Sequence, residues 1–528
     1  MASIVTDQFR IFNASNFIDS INNSQNSYYV FLGFSNPTVG FGGTSNWDSN
    51  TPSPIDSFDY LSHYEDTSIF GKKITIDNVR RVIRRINWTS GTKYEIYRHD
   101  YSISNRSPIT QSSRLYDANY YVINSDYRVY ICIDNGSSET NPTGNASQDE
   151  PTFTDLEPSK AGESGDGYVW KYLFTISPSD IIKFDSTEYI TLPNNWETST
   201  DSQIVSVRES GDSSINDNQI KKIYIEKRGT NYRSGSGQVF NILGDGSGAT
   251  VSVDVNTSGQ IDSVNVTSGG KGYTYGLIDL GSISPTSSNS ANAAKLVTII
   301  PPSKGHGYDL YKELGADKVL IYARFDDSTK DFPIDAKFSQ IGIVKNPTSF
   351  GSTSIYTDPQ YSALGSIKFS PASGGVTGTI SVGTKIKQVV TNSNGVAIGT
   401  AFGYVASYDS QTKVLKYYQD RRLNYNTTTN DQTDYATISN LGNRLSFQSS
   451  AYPIKSDDDS FTGAIDTGYT GITTTINGAI INLGSQFTQG ISNPEINKTS
   501  GDIIYISNRP LVSRNSRQKE DVKIILEF

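Results

Sequence analysis

The chain has 528 residues, which is too long for one hydrophobic core and predicts about three or four domains. Its 45 Lys and Arg residues against 54 Asp and Glu residues give a net charge of −9, which opposes sequence-independent binding to nucleic acid or anionic membranes. The single cysteine, Cys132, excludes an intrachain disulfide, and the three histidines are too far apart in sequence to predict a zinc site.

The sequence contains no targeting or membrane signal that we recognise. No segment approaches about 18 uninterrupted apolar residues, and the amino terminus lacks the basic and apolar regions of a signal peptide. We therefore expect a soluble chain that is neither exported nor inserted in a membrane.

Short segments in which apolar and polar residues alternate are the main signal along the chain. Aromatic and β-branched residues recur in them between turn-forming residues, which is typical of strands. The clearest segments are residues 28–32, 127–133, 168–176 and 297–300. They predict a mainly β fold with minor helical content.

Residues 76–88 are the clearest exception, because their apolar side chains follow a helical spacing. The apolar face of this predicted helix consists of Ile76, Val79, Ile83 and Ile86. Its other faces carry Arg80, Arg81, Arg84 and Arg85. We expect these arginines to be solvated or paired locally, although the same basic surface would suit an acidic partner.

A repeat with an offset of 41 residues lies in the middle of the chain. Its first copy contains Ile223, Ile225, Gly229, Tyr232 and Gly235. Its second copy contains Val264, Val266, Gly270, Tyr273 and Gly276, and a partial third copy keeps Ile299, Gly305 and Tyr308. Each copy predicts a strand that ends in a turn, where the first Gly allows positive φ and the Tyr folds back over it. Segments 250–255 and 260–266 predict a hairpin, and His306 is expected at a surface turn.

Later segments are again strand-like. Residues 348–487 are rich in Gly, Ser, Thr and Asn and contain short alternating segments. At the carboxyl end, Val522, Ile524, Leu526 and Phe528 fall on one side of a predicted strand, so the chain is expected to end inside a sheet.

The sequence gives little support for the common catalytic and ligand-binding motifs. Gly244-x-Gly246-x2-Ala249 fits a loose dinucleotide fingerprint, but a strand follows it where a phosphate-binding loop needs a helix. Cys132 lies in an apolar strand, and no nucleophile elbow is found. Residues 457–459 are three adjacent Asp, for which a solvated loop is favoured over a calcium site. Carboxylate pairs for glycoside cleavage depend on the fold and not on sequence spacing.

Several segments, taken in order, resemble the dimeric baseplate wedge subunit of contractile-tailed phages of the T-even type. The first ones are Ile4 to Thr6 with Phe9-Arg10 as an opening strand, residues 28–34 with Pro37 and Trp47 beyond, and residues 82–88, which match at Val82, Ile83, Arg85 and Trp88. Residues 165–176, Glu188 to Ile190 with Pro193, residues 338–347 and residues 500–510 follow. The resemblance covers roughly half of the chain, mainly residues 1–205, 310–347 and 490–528.

The resemblance implies a non-enzymatic structural protein of the virion tail baseplate that needs no cofactor. It implies a homodimer bound to other wedge proteins, assembled in the host cytoplasm, in a baseplate that rearranges to trigger sheath contraction. The positions carried over from the family are structural, with no catalytic, cofactor or metal role. They are Arg85, Trp88, Gly165, Asp166, Gly167, Tyr168, Trp170, Tyr172, Glu188, Tyr189, Asn346, Pro347, Tyr505, Asn508, Arg509 and Pro510.

These residues predict turn formation and core packing. Gly165 and Gly167 make the turn that begins a strand, and Asn508-Arg509-Pro510 is expected to end one.

The predicted architecture is a discontinuous, β-sandwich-like core formed by both chain ends, with β-modules inserted between them. The core comprises residues 1–210, 310–347 and 488–528. A module with Gly-x2-Tyr turns occupies residues 215–305, and a second β-rich module occupies residues 348–487. Two other functions stay open at this point: binding of a host-surface glycan by the insertions, and a glycan-cleaving tail enzyme.

Overall fold

The computed structural model describes residues 5–34, 49–212, 218–284, 292–326, 337–419, 445–513 and 518–528. Within these ranges the chain is mainly β and divides into two units. The first unit comprises the described residues of Met1–Asn16, Arg80–Leu320 and Ile525–Phe528, and the second those of Phe17–Val79 and Ile321–Ile524. The predicted fold class is confirmed, whereas the finer division into a core and two insertions stays a prediction.

Five α-helices and three short 3₁₀ helices occur in the described residues. The α-helices are α1 (Asp7–Asn22), α2 (Phe58–Thr67), α3 (Pro178–Phe184), α4 (Ser202–Asp212) and α5 (Leu310–Glu313). The 3₁₀ helices are Ile76–Asn78, Leu115–Asp117 and Gly281–Ile283. No helix in the described ranges is long and apolar enough to span a bilayer.

The strands of the first three fifths of the chain are mostly short. They are β1 (Tyr28–Gly33), β2 (Ser68–Ile74), β3 (Val79–Arg84), β4 (Tyr121–Ile123), β5 (Arg128–Asn135), β6 (Ser159–Lys160), β7 (Tyr168–Thr175), β8 (Tyr189–Thr191), β9 (Lys222–Lys227), β10 (Gly235–Gly244), β11 (Ser247–Val255), β12 (Ile261–Lys271), β13 (Gly276–Ile278) and β14 (Lys295–Ile299).

The strands of the remaining part continue this pattern. They are β15 (Lys318–Phe325), β16 (Lys337–Lys345), β17 (Gln360–Ser362), β18 (Gly365–Lys368), β19 (Val376–Thr377), β20 (Lys385–Thr391), β21 (Ala397–Asp409), β22 (Val414–Tyr418), β23 (Ile454–Ser456), β24 (Thr462–Gly463), β25 (Gly471–Ile476), β26 (Ala479–Phe487), β27 (Ile491–Ser492), β28 (Asp502–Ser513) and β29 (Glu520–Glu527).

The first unit contains three separate sheets. Their strand orders are β4-β5-β7-β6, β12-β11-β10-β13 and β14-β9. In addition, β3 pairs antiparallel with β8. The core of this unit is rich in buried Tyr and Trp side chains, and a smaller aliphatic core lies under the sheet of β10 to β13.

The second unit contains a five-stranded and an eight-stranded sheet and a two-stranded ribbon. The five-stranded order is β17-β2-β1-β16-β28, and the eight-stranded order is β19-β24-β23-β20-β21-β22-β18-β27. The ribbon consists of β25 and β26. Each of these sheets has its own cluster of buried apolar side chains.

The helix predicted over residues 76–88 is wrong, because the segment forms a 3₁₀ turn followed by strand β3. Val79 and Ile83 are buried in the strand, and so is Arg81 between them, with its guanidinium carbon 4.0 Å from the ring centre of Tyr311. Pairing with β8 and this stacked arginine stabilise the extended conformation against the helical spacing. Arg80 pairs with Asp180 at 2.8 Å, whereas Arg81 is buried, which differs from the solvated or locally paired arginines expected here.

The prediction of an opening strand is also wrong for the residues that the structure describes. Phe9 and Arg10 lie in α1, whose buried face is formed by Ile11, Ala14, Ile18 and Ile21 at helical spacing. Ile4, Pro37 and Trp47, which contributed to the resemblance, lie outside the described residues.

Pro510 does not end a strand. Strand β28 continues through it to Ser513, and three residues from Arg509 to Leu511 lie opposite the single residue Ser339 of β16. β28 is an edge strand of its sheet, where a bulge tolerates the missing N–H of proline.

The repeated turns have the predicted geometry. Gly229 and Gly270 have φ of +65° and +61°, and a Cβ on either would lie 2.8 Å from the ring of Tyr232 or Tyr273. The predicted hairpin is formed by β11 and β12. His306 in the third copy is buried and not at a surface tip, because its Nδ1 lies 2.5 Å from Oε1 of the buried Glu313.

The carboxyl end forms strand β29 and belongs to a sheet, as predicted. Val522 and Ile524 are buried, and Leu526 and Phe528 on the same side are half-buried.

Candidate functional site

A tight turn at Asp166 organises the region that the sequence singles out most strongly. Gly165 and Gly167 have φ of +70° and +88°, which glycine adopts without strain. Between them, Asp166 accepts hydrogen bonds from the backbone N–H of Tyr168 at 2.9 Å and of Gln148 at 2.8 Å. The carboxylate therefore ties the start of β7 to the preceding loop.

The neighbouring loop closes on this turn through an amide. Asn145 donates from Nδ2 to the carbonyl of Asp166 at 2.8 Å. A Cβ on Gly167 would lie 3.1 Å from Cα of Gly136 and 3.3 Å from Nδ2 of Asn145. Glycine at 167 is thus favoured both by its φ and by the close approach of Gly136 and Asn145.

Strand β7 carries a buried aromatic cluster directly after this turn. Tyr168 and Trp170 stack with ring centres 5.3 Å apart, and Tyr94 meets Trp170 edge-on at 5.7 Å. The Tyr168 hydroxyl accepts from the N–H of Tyr94 at 2.9 Å and donates to the carbonyl of Asn145 at 2.8 Å. Burial raises the pKa of Tyr168, so the hydroxyl stays protonated and keeps both bonds.

The cluster extends along β7 and to the turn that follows β8. Tyr172 is fully buried, lies 5.7 Å from Tyr130 on the paired strand β5 and bonds Thr175 through its hydroxyl at 2.8 Å. Trp196 packs edge-on against Phe174 at 6.3 Å. These contacts make the β5–β7 region a rigid aromatic core, because aromatic pairs favour specific geometries.

The predicted positions near β3 and β8 also come together. The backbone N–H of Arg85 donates to the carbonyl of Glu188 at 2.7 Å, and its guanidinium pairs with Asp185 at 2.9 Å. Tyr189 pairs with Arg84 in the β3–β8 ladder, while the Glu188 side chain is exposed. Trp88 donates from Nε1 to Oγ of Ser147 at 3.0 Å.

The remaining predicted positions lie in the second unit and form a separate group. Asn346, with φ of +54°, exchanges two hydrogen bonds of 2.7 Å with the backbone of Ser27, and Pro347 is buried beside it. Tyr505 pairs with Ile343 in the β16–β28 ladder. Further along β28, Asn508 accepts from Gln340 at 3.1 Å, while Arg509 and Pro510 are exposed in the bulge.

Glu95 and Lys171 are among the buried charged residues of the first unit that were missed from sequence. Glu95 is fully buried and accepts from the backbone N–H groups of Thr110 at 2.7 Å and Asn119 at 2.6 Å. Lys171 is buried within β7 and donates to the carbonyl of Leu156 at 2.6 Å, and burial lowers its pKa to about 8. The one sequence signal for the burial of Lys171 is its position within β7, between the apolar side chains of Trp170 and Tyr172.

The chemistry available in this region is that of a packed core. The thiol of Cys132 is buried, and burial raises its pKa well above the usual value, which makes it a poor nucleophile. The loose dinucleotide fingerprint lies in the turn from β10 to β11, where Asp245 accepts from the N–H of Thr274 at 2.9 Å. Among the described residues, no group of three or more His, Cys, Asp or Glu side chains is placed to hold a metal ion.

One protein family matches the part of the chain that contains this aromatic cluster. Residues 132–233 match the family described as bacteriophage T4 Gp8. The match supports a phage baseplate wedge family, and Gp8 is a structural baseplate protein. The matched segment contains the Asp166 turn, β7 with its aromatic cluster, and Glu188 and Tyr189.

The curated proteins contain no match to this chain. The relation to the Gp8 family therefore rests on residues 132–233. The homodimer and the T-even details that the sequence resemblance implies stay predictions.

Proposed function

We propose that this chain is a structural, non-enzymatic subunit of a phage tail baseplate wedge. In this role it joins neighbouring wedge proteins during assembly in the host cytoplasm and takes part in the rearrangement that triggers sheath contraction. The observation that carries the proposal is the match of residues 132–233 to the Gp8 family.

The construction of the matched segment agrees with a mechanical role. The Asp166 turn and the stacked rings of Tyr168 and Trp170 fix strand β7 through hydrogen bonds and aromatic contacts. A subunit whose contacts change during contraction must keep its own fold, and such a core resists deformation. Cys132, the only thiol, is buried and unreactive in this role.

We also propose that the chain acts as a homodimer, and that residues 215–305 and 348–487 are modules inserted into a core built from both chain ends. The dimer follows from the family resemblance alone. A light-scattering mass of the purified protein at tens of micromolar measures it directly, and a strict monomer would contradict the dimer without affecting the baseplate assignment.

Location in the particle tests the main proposal. Antibodies against the full chain, bound to purified virions and viewed by negative-stain electron microscopy, should label the end of the tail below the sheath. Antibodies against a sheath protein and a capsid protein serve as controls for accessibility. Mass spectrometry of the same particles should detect the chain; its absence from intact virions would refute the proposal.

A further inference from the structure

An open groove of about 850 Å³ lies on one face of the eight-stranded sheet in the second unit. Its size falls within the range of about 300 to 1,000 Å³ that is usual for small-ligand sites. Residues of β20, β21 and β23 form its floor, and the loop before β23 forms one wall. It shares no residue with the aromatic region that matches the Gp8 family.

The strand register explains why these side chains meet. Lys387 of β20 pairs with Lys455 of β23 on one side and with Phe402 of β21 on the other. Two residues further along β20, Val389 pairs with Thr400 of β21. Directly paired residues point to the same face of a sheet, so the floor combines two ammonium groups with an apolar strip.

The wall of the groove is held in place from the opposite face of the sheet. Gln388 is 1% exposed, and its Nε2 donates to the carbonyls of Gln448 and Tyr452, both at 2.9 Å. Its Oε1 accepts from the N–H of Gln448 at 2.9 Å. Tyr452 itself is 43% exposed and lines the groove. A largely accessible tyrosine on an anchored loop gives a ligand a pre-positioned ring.

Oppositely charged side chains lie close together in the groove. Asp459 lies 3.4 Å from the Nζ of Lys387 and 3.7 Å from that of Lys455. Lys387 also donates to the carbonyl of Asp457 at 2.8 Å, and the side chains of Asp457 and Asp459 are both more than half exposed. The groove thus offers both donors and acceptors to a ligand and has no net charge from these four residues, while Lys385 beside it lies 3.7 Å from the carboxylate of Asp457.

This balance selects a class of ligand. An anion would meet the two carboxylates, a cation would meet the two ammonium groups, and a wholly apolar ligand would remove four charges from water without replacing their hydrogen bonds. A neutral, hydroxyl-rich ligand avoids all three costs, because hydroxyl groups both donate to Asp and accept from Lys. The apolar face of a sugar ring also fits an exposed Tyr.

We propose that this groove binds a neutral saccharide. One sugar ring packs against Tyr452 and the strip formed by Val389, while its hydroxyl groups bond to Lys455 and Asp459. The site is independent of the proposed role in the baseplate, and it would give a structural subunit a direct contact with a glycan.

Binding is tested with the full-length protein and a panel of neutral oligosaccharides built from glucose, galactose, mannose and N-acetylhexosamines. Hyaluronan hexasaccharide serves as the acidic comparison. Saturation-transfer NMR identifies binding sugars, and calorimetry gives their affinity. We expect at least one neutral sugar to bind, and Tyr452→Ala to weaken that binding by about fivefold or more, the equivalent of about 1 kcal/mol for an aromatic contact.

Tyr275→Ala is the matched control, because Tyr275 is an exposed tyrosine at 56% in the other unit. Asp459→Asn tests the polar side of the groove and should also weaken binding. Loss of affinity in Tyr452→Ala with none in Tyr275→Ala supports the site. Absence of binding by every neutral sugar, tighter binding of hyaluronan, or equal affinities in the two tyrosine variants would overturn it. Protection of Tyr452 by another protein in intact particles would instead assign the groove to a protein interface. The binding measurements use the purified protein, so their results do not depend on where the chain lies in the virion.

Discussion

Replacing Gly167 with alanine tests how tightly the Asp166 turn packs, and Gly165→Ala is its matched control. Both glycines have positive φ, at +88° and +70°. Their surroundings differ: a Cβ on Gly165 would have nothing within 4 Å, whereas one on Gly167 would lie 3.1 Å from Cα of Gly136. The pair therefore separates the effect of backbone conformation from that of crowding.

The expected magnitudes follow from these two effects. Alanine at positive φ costs about 1–2 kcal/mol of folding free energy, which applies to both variants. At position 167 the new methyl group also displaces Gly136 or Asn145, and loss of the Asn145 bond to Asp166 adds about 0.5–1.5 kcal/mol. We expect Gly165→Ala to destabilise the first unit by about 1–2 kcal/mol and Gly167→Ala by about 1.5–3.5 kcal/mol.

Hydrogen exchange measured by mass spectrometry suits a two-unit chain, whose global unfolding need not be two-state. Peptides covering residues 145–150 and 165–170 report on the amides that Asp166 holds. Exchange there should be faster in Gly167→Ala than in Gly165→Ala, and urea unfolding should give the same order. Equal destabilisation within about 0.5 kcal/mol would refute the close packing of the turn, since conformational strain alone would then account for both.

Two further predictions concern the buried charges of the first unit. Glu95→Gln replaces one of the two carboxylate oxygens with an amide NH₂, which then faces the N–H donor of either Thr110 or Asn119, so the free energy of unfolding should fall by about 1.5–3 kcal/mol. Glu157→Gln at an exposed ion pair should change it by under about 1 kcal/mol, and equal losses in urea unfolding would contradict the role of Glu95. Burial lowers the pKa of Lys171 from 10.5 to about 8, so between these pH values the unfolded chain binds more protons than the folded chain. The free energy of unfolding should therefore rise with pH from about 8 to 9.5 in the wild type, and it should rise less in Lys171→Met. The same slope in both proteins would show that Lys171 is not the titrating group.

Local features of this fold are predictable from sequence because their causes are local. Strand β7 follows from its run of aromatic and apolar residues, and the turns at Gly229 and Gly270 follow from the spacing of Gly and Tyr. The helix assigned to residues 76–88 fails because Arg81 occupies a buried strand position, where its partner Tyr311 is distant in sequence. Periodicity cannot reveal such a partner.

The same distinction applies to the candidate site. The glycines on either side of Asp166 indicate a turn, and the structure has one there. That Gln148 donates to this carboxylate, or that Glu95 is buried, depends on loops that only the folded chain brings together. From sequence alone a carboxylate is predicted to lie at the surface, because the partners that could hold it in the core are not known.

The bulge around Pro510 has a consequence for how copies of this chain would meet one another at high concentration. β28 is the outermost strand of the five-stranded sheet, and at the other edge β17 has only three residues. An irregular strand with a proline and a very short strand are both poor templates for further backbone pairing. This sheet is therefore a poor template for edge-to-edge aggregation, which favours contacts made through side chains over contacts made through the backbone.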